Sequence, residues 1–375
     1  MIGTSLAVEF NGSQEPLRLR KHPLPALGSG EVLAKVVLGT LCGSDLHTFE
    51  GRRATPIPTI LGHEMLGQVA ALPPEEEVRD HTGRPLKLGD RVTWSVTASC
   101  DTCFFCTHDL PQKCERLFKY GHEPVNDLHP LSGGLSEYCH LKAGTSIFVV
   151  PDEVPDAVAC PANCATATVA AALRYGGDCS NETVLVQGAG MLGLTATAMA
   201  KWRGALNVVV SDVNPQRQRE ASRFGATHTV AVGEDSGELG RVVSELTEGR
   251  GVDLALEMSG DPSAMESGLE LLRIGGRYIL AGGVFPTRAP AVPMEMVIRK
   301  LLRIQGVHNY TPSDLGMALG FLRESHSVYP FEQLVSARFP LTDAHNGFRH
   351  AIDSGAYRVA VGTGLAPTQR GSVSD

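Results

Sequence analysis

Four cysteines, Cys100, Cys103, Cys106 and Cys114, crowd into one short stretch of the chain. Four thiolates at that spacing suit a closed tetrahedral zinc site, and a metal with four protein ligands keeps no open position for a substrate. That site is therefore expected to be structural. The chain has nine cysteines, an odd number, and Met1–Arg18 lacks the basic start and apolar run of a secretory signal. A cytoplasmic, reducing setting is expected, in which clustered cysteines point to metal rather than disulfides.

A second set is scattered. Cys42-Gly-Ser44-Asp45-Leu-His47 and Gly62-His63-Glu64 each follow a short β-like run. Taken singly, such a Cys or His is more often core or surface than ligand. Together they offer soft and imidazole ligands of the kind zinc prefers, and a catalytic zinc needs about three of them plus one exchangeable position.

The third feature is a glycine loop. Val184-Leu-Val-Gln-Gly188-Ala-Gly190-Met191-Leu192-Gly193 runs from a strand into G-x-G-x-x-G and then a helix, and Asp212 closes the next strand. Gly188 permits the tight turn, Gly190 lets the backbone approach a pyrophosphate, and Gly193 lets the helix pack against the sheet. The helix start supplies amide donors for phosphates. Asp212 would accept from ribose hydroxyls, which favours NAD. An αβ turn without a ligand is the bland alternative.

These groups need two kinds of scaffold. Up to about Pro155, short β-like runs (Glu31–Leu38, Leu66–Leu72, Asp90–Val96, Ile147–Val150) are broken by Gly and Pro, as in an antiparallel β barrel. Pro73–Leu88 is rich in Pro and Glu and is expected to be a surface loop. From about Asp156, apolar strands (Thr183–Gln187, Leu206–Ser211, Asp253–Glu257, Arg277–Ala281) alternate with helical stretches (Leu192–Trp202, Pro215–Phe224, Gly237–Thr247, Pro262–Leu272), the pattern of a parallel sheet with crossover helices. Two helices, Pro312–Ser325 and Leu341–Ser354, and a strand, Tyr357–Gly362, are expected to follow. The tail Ala366–Asp375 is expected to be disordered. The chain of 375 residues is 42% hydrophobic and 20% charged with a net charge of −8. Those values suit about two globular domains and disfavour nucleic-acid or anionic-membrane partners.

With these motifs in this order, the chain resembles the zinc-containing medium-chain alcohol dehydrogenases from about Glu31 to Gly362. The resemblance implies an α/β protein: a GroES-like β-barrel catalytic domain over 1–157 with the zinc lobe at 95–120, a Rossmann doubly wound NAD-binding domain over 158–308, and a return to the catalytic domain over 309–375. It implies one catalytic and one structural zinc. Cys42 and His63 resemble catalytic ligands, and Glu64 a carboxylate that can approach the metal. In Cys160-Pro-Ala-Asn-Cys164-Ala-Thr-Ala-Thr168, Cys164 fits the family pattern for the third ligand better than Cys160. Ser44 resembles the hydroxyl that takes the alcohol's proton, and His47 the outer member of that relay. Thr168 resembles a residue beneath the nicotinamide, Gly282 the start of a backbone stretch at its carboxamide, Arg217 a base along the adenosine ribose, and Arg358 a pyrophosphate ligand. Gly43 departs from members with a basic residue there. A narrower resemblance, in Thr93-Trp-Ser-Val-Thr-Ala-Ser99, Pro111-Gln-Lys-Cys114 and Lys119-Tyr-Gly-His122, is to dehydrogenases associated with phosphonate catabolism.

The implied reaction moves a hydride between a small alcohol or aldehyde and NAD(H), with zinc lowering the alcohol's pKa and a proton leaving through Ser44 and His47. The expected partner is that small molecule, and, as in relatives, a homodimer or homotetramer. Arg52, Arg53, Lys119 and His122 suggest a basic rim that would draw an anionic alcohol; solvated surface charge is the plain alternative. Two rivals stand beside this reading: a zinc-free quinone or enone reductase, and a non-enzymatic zinc-knuckle interaction protein.

Overall fold

A computed structural model describes residues 3–233, 237–363 and 368–369. The chain divides into two compact units. One runs up to Cys164 and adds Thr311–Arg323 and the chain from Phe331 on; the other is Ala165–Tyr310 with Glu324–Pro330.

The first unit is built on a nine-stranded, largely antiparallel sheet. Val32–Thr40 pairs with Glu64–Ala71, Tyr138–Leu141 and Arg358–Gly362, and Arg91–Ala98 pairs with Glu64–Ala71, Phe118–Lys119 and Thr145–Val149. Alternation places Val32, Ala34 and Val36 in one core with Trp94, while Leu33 faces a second core with Phe10 and Phe348. The register between Val32–Thr40 and Glu64–Ala71 shifts at Leu33/Ala34 and Val36/Leu38; such irregularities bend a strand and help a sheet to curl. This is the GroES-like barrel expected of this half. Strands Thr4–Phe10 and Arg18–Pro23 form a separate three-stranded sheet with Thr59–Ile60. They escape the sequence reading because Arg18–Pro23 is mostly polar and mostly exposed, with no apolar alternation. Pro73–Leu88 holds no named strand or helix, but it is not wholly on the surface: Val78 and Leu86 pack into the core around Trp94.

The second unit is a six-stranded parallel sheet in the order His228–Ala231, Asn207–Asp212, Thr183–Gln187, Val252–Glu257, Leu272–Leu280, Arg303–Gly306. The chain starts in the middle, winds one way, and returns to wind the other. Such a doubly wound sheet binds ligands where the strand order reverses, here beside the C-terminal end of Thr183–Gln187. The core strands are apolar on both faces because helices cover both: Val184, Leu185, Val186, Val208, Val209 and Val210 are buried. Helices start where capping chemistry allows. Asn214 and Asp261 accept from the amides of Gln216 and Ser263, each followed by Pro at the first helical position.

Of the tail, Thr368–Gln369 pairs with Val335–Pro340; the rest of Ala366–Asp375 lies outside the described residues. Among the described residues no single helix is long and apolar enough to cross a membrane.

Candidate metal centres and coenzyme loop

Tetrahedral zinc with Zn–S bonds of about 2.3 Å places its sulfurs about 3.8 Å apart. The cysteine lobe meets that measure. Cys100–Cys106, Cys103–Cys106 and Cys103–Cys114 sulfurs are 4.0, 3.5 and 3.9 Å apart, and all four ligand atoms lie within 4.8 Å of one another. The loop closes because Asp101 and Asp109 take left-handed backbone conformations (φ 58° and 59°). The amides of Cys100 and Arg116 donate to Cys114 Sγ at 3.4 and 3.3 Å. The thiol of Cys100 is lowered to about 5, first by the Thr102 amide and then by Arg116. The Cys103 thiol is lowered as well, whereas burial raises Cys106 and Cys114; a metal gathered by the four sulfurs would hold all of them as thiolates.

Cys42, His63 and Cys164 form a second group, again with ligand atoms within 4.8 Å. Cys42 and Cys164 sulfurs are 3.9 Å apart. Cys42 is the N-cap of the helix Gly43–Phe49, whose third residue, Asp45, folds back to accept the Cys42 amide at 3.0 Å. The other oxygen of that carboxylate lies 3.1 Å from His63 Nδ1 and accepts the Gly62 amide at 3.3 Å. Asp45 thus makes Nδ1 the donor and leaves Nε2 for a metal. Burial disfavours the protonated ring, but Asp45 outweighs it and raises His63 to about 10; metal binding therefore displaces a proton. The Cys42 thiol is held well below its usual value by the hydrogen bond from Cys164 and, against burial, by the charge of Arg358.

Neighbouring groups are fixed as firmly. Asn163 donates to the carbonyls of His63 and Trp94 and accepts from the Met65 amide. This ties the turn Cys160–Asn163 to the strand that follows His63. Cys160 faces away from the metal group: its Sγ meets the Leu38 carbonyl at 3.3 Å and Thr40 Oγ1 at 3.5 Å. Glu64 is fully buried and gripped at 2.6 Å by Arg358 through both Nε and Nη2, and by Thr40. Arg358, expected at a pyrophosphate, forms a bidentate pair with Glu64. Its Nη1 donates to the Tyr357 carbonyl and its Nη2 lies 3.7 Å from Cys42 Sγ. The reason is charge: a buried carboxylate needs a fixed cation. Ser44 Oγ is 3.4 Å from His63 Nε2, and His47 lies one turn along the same helix, half-buried. Burial and then Arg52 keep its pKa down. Asp45, Thr40 and Asn163 were missed in the sequence; only Asp45 had a local signal, an acid at the third helical position after a cap.

In the second unit, Gly188 (φ +91°) and Gly193 are required by the protein itself. A Cβ at Gly188 would lie 2.9 Å from Ser259, and one at Gly193 would lie 1.8 Å from the Gly188 carbonyl oxygen. Gly190 differs: a Cβ there would meet nothing within 4 Å. Open space before an uncapped helix, Met191–Trp202, is a cradle for a phosphate group. Asp212 is buried at the end of its strand, its two oxygens accepting the Ala189 and Asn214 amides at 2.7 Å each. Arg217 is half-buried on the helix Pro215–Arg223, and Thr168 half-buried on Ala165–Gly176. Gly282 is forced by packing, since a Cβ would lie 2.4 Å from the Gly260 amide nitrogen.

Comparison with known proteins agrees with this geometry. The alcohol dehydrogenase GroES-like domain family matches residues 28–152, and the zinc-binding dehydrogenase domain family residues 192–324. An L-threonine 3-dehydrogenase of Edwardsiella ictaluri is 30% identical over 340 residues, 90% of this chain and 93% of that protein. A 5-exo-hydroxycamphor dehydrogenase of Pseudomonas putida is 31% identical over 322 residues, 84% and 87% of the two chains. The crystal structure of an alcohol dehydrogenase from Thermotoga maritima superposes with a TM-score of 0.89 at 29% identity, covering 96% of this chain and 99% of that one.

Proposed function

Since the chain belongs to the zinc-dependent medium-chain alcohol dehydrogenases, we propose that it oxidises a small alcohol, or reduces the aldehyde or ketone, at the Cys42, His63 and Cys164 centre with NAD(H). The observation that carries this reading is the three-ligand group with a hydroxyl, Ser44 Oγ, beside it. When bound, zinc supplies a Lewis acid that acidifies an alcohol, and NAD supplies the hydride acceptor. The chain does the rest. Asp45 holds His63 in the ligating tautomer, and Arg358 neutralises Glu64 beneath the site. Ser44 Oγ accepts the hydroxyl proton. His47, three residues on and so on the same helix face, passes it outward; a pKa kept low suits it to releasing that proton to solvent.

The alcohol, on this reading, carries an anionic group. Arg52 is taken up by an ion pair with Glu50. Arg53, Lys119 and His122, however, share one electrostatic neighbourhood with Cys42, His63 and Cys164. In the second unit Met294, Ile298 and Leu301 are exposed near the edge strand Arg303–Gly306; this is the face we assign to a second copy.

Metal analysis together with NADH absorbance tests the core reading. Two zincs per chain and NAD reduction by at least one alcohol in a broad panel are expected. One zinc and no alcohol oxidation would favour the reductase or the interaction protein.

A further inference from the structure

We propose that Lys119 is the side chain that binds the substrate's anionic group and so sets specificity. The inference rests on the reading above that the alcohol is charged. Lys119 closes the short strand Phe118–Lys119, paired to Thr97. The chain then turns at once: the His122 amide donates to the Lys119 carbonyl and the Lys119 amide to Glu123 Oε1, both at 3.1 Å. That turn lies against the metal centre. Gly121 has φ +75°, and a Cβ on it would lie 2.8 Å from the Gly62 carbonyl oxygen and 3.2 Å from His63 Cβ. The His122 ring is centred 5.3 Å from that of His63.

Lys119 is half-buried there, and among the described residues no carboxylate pairs with it. The charges around it are of two kinds. Arg53 and Lys113 oppose its protonated form, as burial does, whereas Cys164 and Cys42 favour it. Zinc held by Cys42, His63 and Cys164 would offset the charge of their thiolates, while Arg53 and Lys113 would remain. The partly desolvated ammonium then has no carboxylate paired to its Nζ among the described residues; the neighbouring Glu123 carboxylate is engaged by the Lys119 backbone amide instead. Such a group is costly unless it is paired. A counter-ion brought by the ligand removes that cost. An ammonium is a point charge with three donors, so it takes any oxyanion, carboxylate or phosphonate, held a few atoms from the reacting carbon. Arg52, spent on Glu50, offers no such vacancy.

The test uses the zinc-loaded enzyme and matched primary alcohols ending in methyl, carboxylate or phosphonate. Lys119→Met is expected to raise KM for the anionic alcohols by roughly ten- to a hundredfold with little change in kcat. It should leave the methyl analogue and NADH binding unchanged, and Lys119→Arg should recover part of the loss. Arg52→Ala, whatever it does to turnover through His47, should keep the native KM preference for the anionic alcohols. Turnover of the methyl analogue reports that each variant is folded and loaded. If native enzyme shows no preference for the anionic alcohols, the charged-substrate reading itself fails. If the native preference survives in Lys119→Met, the assignment to Lys119 fails while that reading stands. A weakened Kd for NADH in Lys119→Met would move the residue to the coenzyme and equally overturn the proposal.

Discussion

Asp45 Oδ1 lies 3.1 Å from His63 Nδ1, and both side chains are buried. The same carboxylate accepts the amides of Cys42 and Gly62, so one side chain orients two ligands from different segments. Asp45→Ala should cut affinity for the catalytic zinc about ten- to a hundredfold and turnover with it, while the cysteine lobe keeps its metal. Competition with a chelator, read as zincs per chain, checks this; full retention of two zincs would remove Asp45 from the ligand-positioning role.

The third ligand is decided between two cysteines only four residues apart. Cys164→Ala should lose one zinc and nearly all turnover, yet bind NADH as before. Cys160→Ala should keep both zincs and instead cost about 1–2 kcal/mol of stability through the cavity and the lost contact with the Leu38 carbonyl. Zinc content and denaturant melts of the two variants separate the cases, and the reversed pattern would refute the assignment.

Coenzyme choice is expected to rest on Asp212. Its carboxylate is fixed by two amides, where it can accept from a ribose diol and would repel a 2′-phosphate. The native enzyme should strongly prefer NAD, and Asp212→Ser should narrow the preference by about tenfold or more. Comparable kcat/KM for NADP in the native enzyme would sink the idea.

A pH effect on stability is expected from His129. Lys142 Nζ donates to its Nε2 at 3.0 Å. Burial first, then the charges of Lys142 and His140, lower its pKa against a smaller opposing effect of Glu31. The folded state thus binds this proton less readily than the unfolded chain. Above the unfolded value of about 6.5 neither state is protonated and the effect vanishes. As pH falls below that value the unfolded chain takes the proton first, and stability drops. The melting temperature should fall less between pH 7 and 5 in His129→Gln than in the native protein. Parallel curves would exclude His129 as the cause.

Several parts of this protein were legible before any fold was known because their chemistry is local. The four-cysteine lobe closes on itself within a single loop, so spacing alone announces a tetrahedral site. The glycine loop is also local: Gly188 and Gly193 are demanded by a strand–turn–helix whose own atoms collide with any side chain. The alternation of apolar strands with helices likewise foretells the doubly wound sheet, because a parallel pair needs a crossover. Arg18–Pro23 was silent for the opposite reason, being a mostly polar, mostly exposed edge with no apolar period to read.

What only the tertiary structure decided depends on long-range register. Thr40 stands opposite both Glu64 and Ala360 in adjoining ladders, and that pairing carries Arg358 across 294 residues to Glu64. No local pattern encodes it. The turn of Cys160 toward the Leu38 carbonyl and the reach of Asp45 to His63 share that origin. The sequence by itself determined which residues can ligate, donate or carry charge, since those are properties of side chains at fixed spacings. Which of them face one another was decided by how the sheets bring distant segments together, because a charge or a ligand acts only over a few ångströms.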